Sequence, residues 1–111
     1  MPIFILQGRY SRDAIKGMLA KPEDRSVAAA KLAEAVGGRM LSYYVTFGAD
    51  DFIVTLEVPS AKEAAAIALA VGGSGSFSDV RTTLAMTTAE AREALVAAGG
   101  VGGAYRPPGA A

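Results

Sequence analysis

The sequence predicts a single α+β domain of order βαββαβ with a further helix at its C-terminal end. Three observations lead there. Three segments alternate residues with the period of a strand and a fourth is rich in β-branched and aromatic residues, Ala-rich stretches between them repeat apolar residues at helical spacing, and glycine pairs stop two of those stretches. At 111 residues the chain has the size of one domain, and 51% hydrophobic against 20% charged residues is the balance of a chain that folds.

Ile3 to Tyr10 is rich in β-branched and aromatic residues and reads as the first strand, after which Ser11-Arg12-Asp13 turns the chain toward a helix. Ile15 to Leu19 forms a short helix or turn. Pro22 suits the first position of the main helix, where Ala29, Leu32, Ala33 and Val36 fall at i, i+3, i+4 and i+7 before Gly37-Gly38 ends the run. Arg39 to Phe47 is the second strand, with Leu41, Tyr43, Val45 and Phe47 on one parity, and Gly48-Ala49-Asp50 has the chemistry of a hairpin turn. The third strand runs from Asp51 to Val58, placing Phe52, Val54, Leu56 and Val58 in a core and Asp51, Ile53, Thr55 and Glu57 on the opposite face.

Ser60 and Glu63 stand at capping-box spacing ahead of a stripe of Ala64, Ile67, Ala68 and Val71, which Gly72-Gly73 stops. The connection to Ser76 leads into a fourth strand, in which Val80, Thr82, Leu84 and Met86 alternate with Arg81, Thr83 and Ala85. Thr87 and Glu90 repeat the capping-box spacing, and Ala91, Ala94, Leu95 and Ala98 stripe a last helix whose apolar side matches an internal core. Residues 1–98 then form the domain, while Gly99 to Ala111, rich in Gly and Pro, reads as a flexible tail. This is the ferredoxin-like arrangement, with helices over one face of a four-stranded antiparallel sheet. The other face is bare, and in this architecture a second subunit usually covers it, forming a dimeric α/β barrel.

Composition removes whole classes of chemistry. Cysteine, histidine, tryptophan and asparagine are absent, which excludes thiol nucleophiles, disulfides, imidazole acid–base catalysis and zinc sites of the usual ligand types. No cofactor and no metal are expected. Eleven basic residues balance eleven acidic ones, so there is no excess field for nucleic acid or an anionic membrane. Met1 to Gly8 lacks the leading positive charge of a secretory signal, and no apolar run approaches the ~20 residues of a membrane span. The reading is of a cytoplasmic protein. Twenty-three residues are alanine, so the monomer's core is thin for its nominal hydrophobicity and self-association would add to it.

The opening Phe4-Ile5-Leu6-Gln7-Gly8-Arg9-Tyr10-Ser11, the Arg25 to Gly38 helix with its double glycine, and the segment from Tyr44 to Val54 resemble the GYD-domain proteins. These are small bacterial domains of largely unassigned function, and the likeness covers about residues 2 to 96. In that family a Gly, a variable residue, a Tyr and an Asp precede an apolar strand; Gly48 and Asp51 match, while Asp50 stands where the Tyr is expected. The resemblance implies the dimeric α/β-barrel class and a homodimer or higher homo-oligomer. It supplies almost no chemistry.

Candidate site residues therefore come from strand parity. Tyr44, Thr46, Ile53 and Thr55 would form a mixed wall on the bare face, with Asp51 or Arg81 orienting a small, partly apolar ligand held between two sheets. Asp50 and Asp51 are adjacent carboxylates, but neighbours on a strand diverge, and an arginine of this face, Arg81 or Arg9, would pair with Glu57 or Asp51 across the interface between copies. The Gly72 to Gly75 run follows a helix and leads into a strand, the reverse of a phosphate loop, and serves as a connector. Two alternatives to ligand binding stand: a cofactor-independent monooxygenase-like or isomerase-like enzyme, in which Asp51, Glu57 or Tyr44 would move the proton, and a structural subunit of a larger oligomer.

Overall fold

The structure, a computed structural model, describes residues 1–110. Its elements are β1 (Ile3–Tyr10), α1 (Arg12–Ala20), α2 (Arg25–Ala35), β2 (Arg39–Val45), β3 (Phe52–Glu57), α3 (Ala61–Gly72), β4 (Phe77–Ala85), α4 (Thr88–Val101) and a 3₁₀ turn (Gly102–Ala104). The strands form one antiparallel sheet in the order β2-β3-β1-β4. This is the ferredoxin-like order, with α1 and α4 added to the βαββαβ unit.

Period-two alternation decides the two faces of the sheet. Phe4, Leu6, Tyr10, Phe52, Val54, Leu56 and Val58 point to the helix side and are buried, Val58 completely. Burying side chains of this size stabilises the fold by about 1.5–3 kcal/mol each. From above, Ala33 of α2 and Ala64 and Ile67 of α3 complete the core, with Leu32, Val36, Met40 and Val71 packed against them. α2 lies along β2 and α3 along β4. The two central strands, β1 and β3, therefore carry the densest part of the core.

Local chemistry moves several boundaries from those the sequence predicts. The helix before Pro22 is a full element because Ser11 caps it, its hydroxyl accepting from the Ala14 N–H. α2 starts at Arg25 rather than Pro22, since the Asp24 carboxylate accepts the Ser26 N–H at 2.9 Å and sets the start three residues later. Gly37, at φ +81°, closes α2 in a backbone conformation that other residues adopt only with strain. In β2 a bulge between Met40 and Ser42 throws Leu41 outward, so Leu41 leaves the core set that simple alternation assigns it. The strand ends at Val45, and Phe47 sits in the hairpin loop, 99% exposed.

Ser60 does not cap the α3 backbone; its hydroxyl donates to the Glu63 carboxylate instead, so the two side chains meet without forming the backbone bonds of a capping box. The Thr87–Glu90 box is complete, with both backbone bonds at 3.1 Å. α4 continues through Gly99 and Gly100 to Val101, beyond the point where the sequence predicts a tail. None of its residues is buried, in contrast to the internal core its stripe predicts, because among the described residues no strand and no other α-helix packs extensively against that stripe. The projection of α4 extends the molecule to 63 × 32 × 23 Å, and its 18.0 Å radius of gyration exceeds the about 13 Å expected for a compact chain of this length.

Candidate functional site

The bare face carries Ile3, Ile5 and Gln7 of β1, Ser42 and Tyr44 of β2, Ile53 and Thr55 of β3, and Arg81 and Thr83 of β4. Tyr44 lies beside Ile53 across the β2–β3 pair, and the Ser42 and Thr55 hydroxyls bond to each other at 2.6 Å. Tyr44, Ile53, Thr55 and Arg81 of the predicted wall thus share one surface. The remaining two residues sit elsewhere. Thr46 is in the hairpin loop and donates its hydroxyl to the Asp50 carbonyl at 2.6 Å. The Asp51 carboxylate accepts the Tyr10 N–H at 3.0 Å and lies 3.9 Å from Arg9, which ties it to the end of β1.

Arg81 pairs with neither Glu57 nor Asp51. Its guanidinium bonds the Asp50 carboxylate at 2.6 Å and Asp79 at 3.2 Å, which raises its already high pKa through the Asp50 hydrogen bond and charge. Asp50 and Asp51 diverge as strand geometry requires, one toward β4 and the other toward β1. Asp50 leaves one carboxylate oxygen, Oδ1, buried and without a hydrogen-bond partner. Glu57 pairs with Arg39 at 3.3 Å at the far end of β3. Six residues of strand separate Asp51 from Glu57, about 20 Å at ~3.3 Å per residue, so the two carboxylates serve no common reacting centre.

The opposite side of the sheet holds a feature that strand parity does not disclose. Between the sheet and helices α2 and α3 lies a cavity of about 330 Å³, walled by apolar side chains that include Leu32, Phe52, Val54, Ile67 and Val80. It exists because the helix positions facing it are small: Ala28 and Ala29 on α2 and Ala70 on α3. An aromatic cluster closes one end. The Tyr10, Phe52 and Phe77 rings lie 5.1–5.7 Å apart centre to centre, and Tyr43 stands 6.4 Å from Phe52.

Polar groups gather at that end. The Tyr43 phenol shares a short hydrogen bond with the Tyr10 hydroxyl, and burial followed by that bond pushes the Tyr43 pKa well above the ordinary tyrosine value. Arg25, at the first turn of α2, reaches the wall together with Ser74 and Ser76. A second cavity of about 260 Å³ beneath α1 shares Arg25, Ser76 and Phe77 with the first and adds Lys21 and Glu23. The signal available in the sequence was the alanine content of the helix stripes facing large strand residues.

Sheet order, helix placement and a single-domain core define a ferredoxin-like α+β domain with one face covered and one open. The chain belongs to the GYD-domain family, whose model matches residues 4–95. Among solved structures it is similar to one described as the crystal structure of FFRP-DM1, at 19% identity and a TM-score of 0.49, covering 78% of this chain and 100% of that one. It is also similar to the hypothetical protein PHS023 from Pyrococcus horikoshii, at 18% identity and a TM-score of 0.48, covering 78% of this chain and 92% of that one. No curated protein matches it. Among the described residues, no helix is long and apolar enough to cross a membrane.

Proposed function

We propose that this GYD domain is a small-molecule-binding module that pairs with a second copy through its bare sheet face and holds its ligand beneath α2 and α3. The cavity of about 330 Å³ carries the reading, because it falls within the size of small-ligand sites and combines apolar walls with a few polar groups at one end. A core designed only for stability packs to crystal-like density and leaves no such space. This places the ligand on the opposite side of the sheet from the parity-derived wall. The bare face, with Ile3, Ile5, Ile53 and Tyr44, then supplies the contact between copies.

Native mass spectrometry of the protein purified without added ligand tests both halves. The expected result is a dimer retaining a small molecule, with Tyr44→Glu shifting the mass to monomer while retention persists. A monomeric parent protein would remove the pairing, and an empty protein that takes up no small amphipathic molecule would remove the ligand site. One observation also favours the assembly-subunit reading: Leu95, Val96 and Val101 of α4 are large apolar side chains left exposed. A mass well above that of a dimer would support it.

A further inference from the structure

Resting on the proposed ligand site, we infer that the cavity under α2 and α3 selects a small amphipathic monoanion whose carboxylate binds Arg25 by displacing Glu23. The body of such a ligand follows from the walls. Leu32, Phe52, Val54, Ile67 and Val80 offer no hydrogen bonds, so the part of the ligand among them is hydrocarbon, aliphatic or aromatic. A volume of about 330 Å³ equals that of roughly eleven waters at ~30 Å³ each, which sets the scale at about a dozen non-hydrogen atoms.

The head follows from Arg25. Among the described residues that line the larger cavity it is the one charged group, and it also borders the second cavity, so it stands where the two meet. In the unliganded domain its Nη1 already holds a carboxylate, that of Glu23 two residues earlier, at 2.6 Å. Glu23 is thus an internal occupant of the position assigned to the ligand. The pair is open to exchange, with Arg25 34% and Glu23 49% exposed, and ion pairs of that exposure are held by only about 0–1 kcal/mol. A ligand carboxylate arriving from the cavity would meet the planar guanidinium fork, with the Ser76 hydroxyl on the same wall, while the Ser74 hydroxyl is already donated to the Val71 carbonyl.

Charge around the head limits the class further. Lys21 and Arg25 are balanced by Glu23 and Asp24, the cap of α2, so displacing Glu23 from Arg25 leaves one positive charge for the ligand to match. That is the complement of a monoanion, and it disfavours a cation or a dianion such as a phosphate monoester. The neutral phenol of Tyr43, bonded to Tyr10, presents no opposing charge to a carboxylate. A monocarboxylate with an apolar body satisfies all of these conditions.

Calorimetric titration of the full-length protein with octanoate and with 1-octanol, which share a chain and differ in the head, tests the inference. Octanoate is expected to bind roughly tenfold tighter or more, the usual worth of a charge-assisted hydrogen bond. Arg25→Gln should bring the octanoate-to-octanol preference to about one, Arg25→Lys should keep part of it, and Glu23→Gln should increase it by removing the competing carboxylate. Equal binding of the two probes with no response to Arg25→Gln or Glu23→Gln would overturn the monoanion inference and leave the cavity reading standing. Binding of neither probe would overturn the cavity reading and this inference with it. A circular dichroism melt of each variant separates lost selectivity from lost folding.

Discussion

Filling the helix-side cavity from α2 should stabilise the domain and abolish ligand uptake at the same time. Ala29 is partly buried and lines the cavity, so Ala29→Leu adds three carbons to space the fold leaves empty. At about 0.8 kcal/mol per buried carbon the upper bound is about 2.4 kcal/mol. Ala29 is only partly buried, so part of the new side chain stays in contact with water, and leucine forms helices slightly less well than alanine. A net gain of about 1 kcal/mol is therefore expected, worth about 4–8 °C in melting temperature for a domain of this size. The assay is thermal unfolding followed by circular dichroism, with octanoate titration of the same preparation. A variant that melts at or below the parent temperature and still binds the probe would show that the space beneath α2 is neither empty nor the ligand site. Stabilisation with loss of binding is the pattern of a cavity retained for function at a cost in stability.

Further outcomes follow from other parts of the structure. Gly8→Ala should destabilise the fold by several kcal/mol or prevent folding, because a Cβ there would run into the Asp79 backbone carbonyl of β4; the midpoint of urea unfolding measures it. Tyr43 has its pKa raised from 10.0 in the folded state, so the folded protein keeps a proton that the unfolded chain releases. Its contribution is complete below pH 10 and lost as pH rises above it, and the alkaline fall in melting temperature should be shallower in Tyr43→Phe than in the parent. Asp24, Glu63 and Glu90 have lowered pKa values, each led by hydrogen bonds from helix-start residues. Their contribution is present above the ordinary carboxyl values of 3.8 and 4.5 and is lost as pH falls through the depressed folded values, so the early acid loss of helix signal should diminish in Glu90→Gln. In hydrogen exchange on dilute protein, α4 should exchange far faster than Phe4–Leu6 and Phe52–Leu56, since a 14-residue helix without packing is marginal in water; equal protection would mean that a partner covers it.

Each of these expectations depends on whether the controlling interaction is local or crosses the chain, and the same division governs what could be read from the sequence. Whereas the apolar run Ile3-Phe4-Ile5-Leu6 of β1 marks a strand without marking its buried face, period-two alternation in β3 named the buried set of Phe52, Val54, Leu56 and Val58, because a strand covered on one face has no other way to place them. The Thr87–Glu90 box was legible for the same reason, its two bonds spanning three residues. Leu41 was misplaced because a bulge depends on register against β3 and leaves no mark in β2 alone. The Arg81–Asp50 pair within the chain was not legible, because the distance between the two is set by strand order, which carries the hairpin loop across β1 to β4.

The cavity belongs to this second kind. Alanines at the facing positions of α2 and α3 suggested only a thin core, since a small side chain opposite a small side chain closes up and opposite a large one packs well. What keeps the space open is the spacing of both helices above the sheet, anchored by Ala33, Ala64 and Ile67 at one level and by the Tyr10–Phe52–Phe77 cluster at another. Arg25 reads in the sequence as an ordinary first-turn residue, and it comes to border both cavities only because Ser76 and Phe77, some fifty residues later, fold to line the same space. Strand parity directs attention to the open face because that face is where polar residues alternate outward. In a domain that pairs through the open face, those residues serve contact between copies, and the ligand is left to the side where helix alanines leave room.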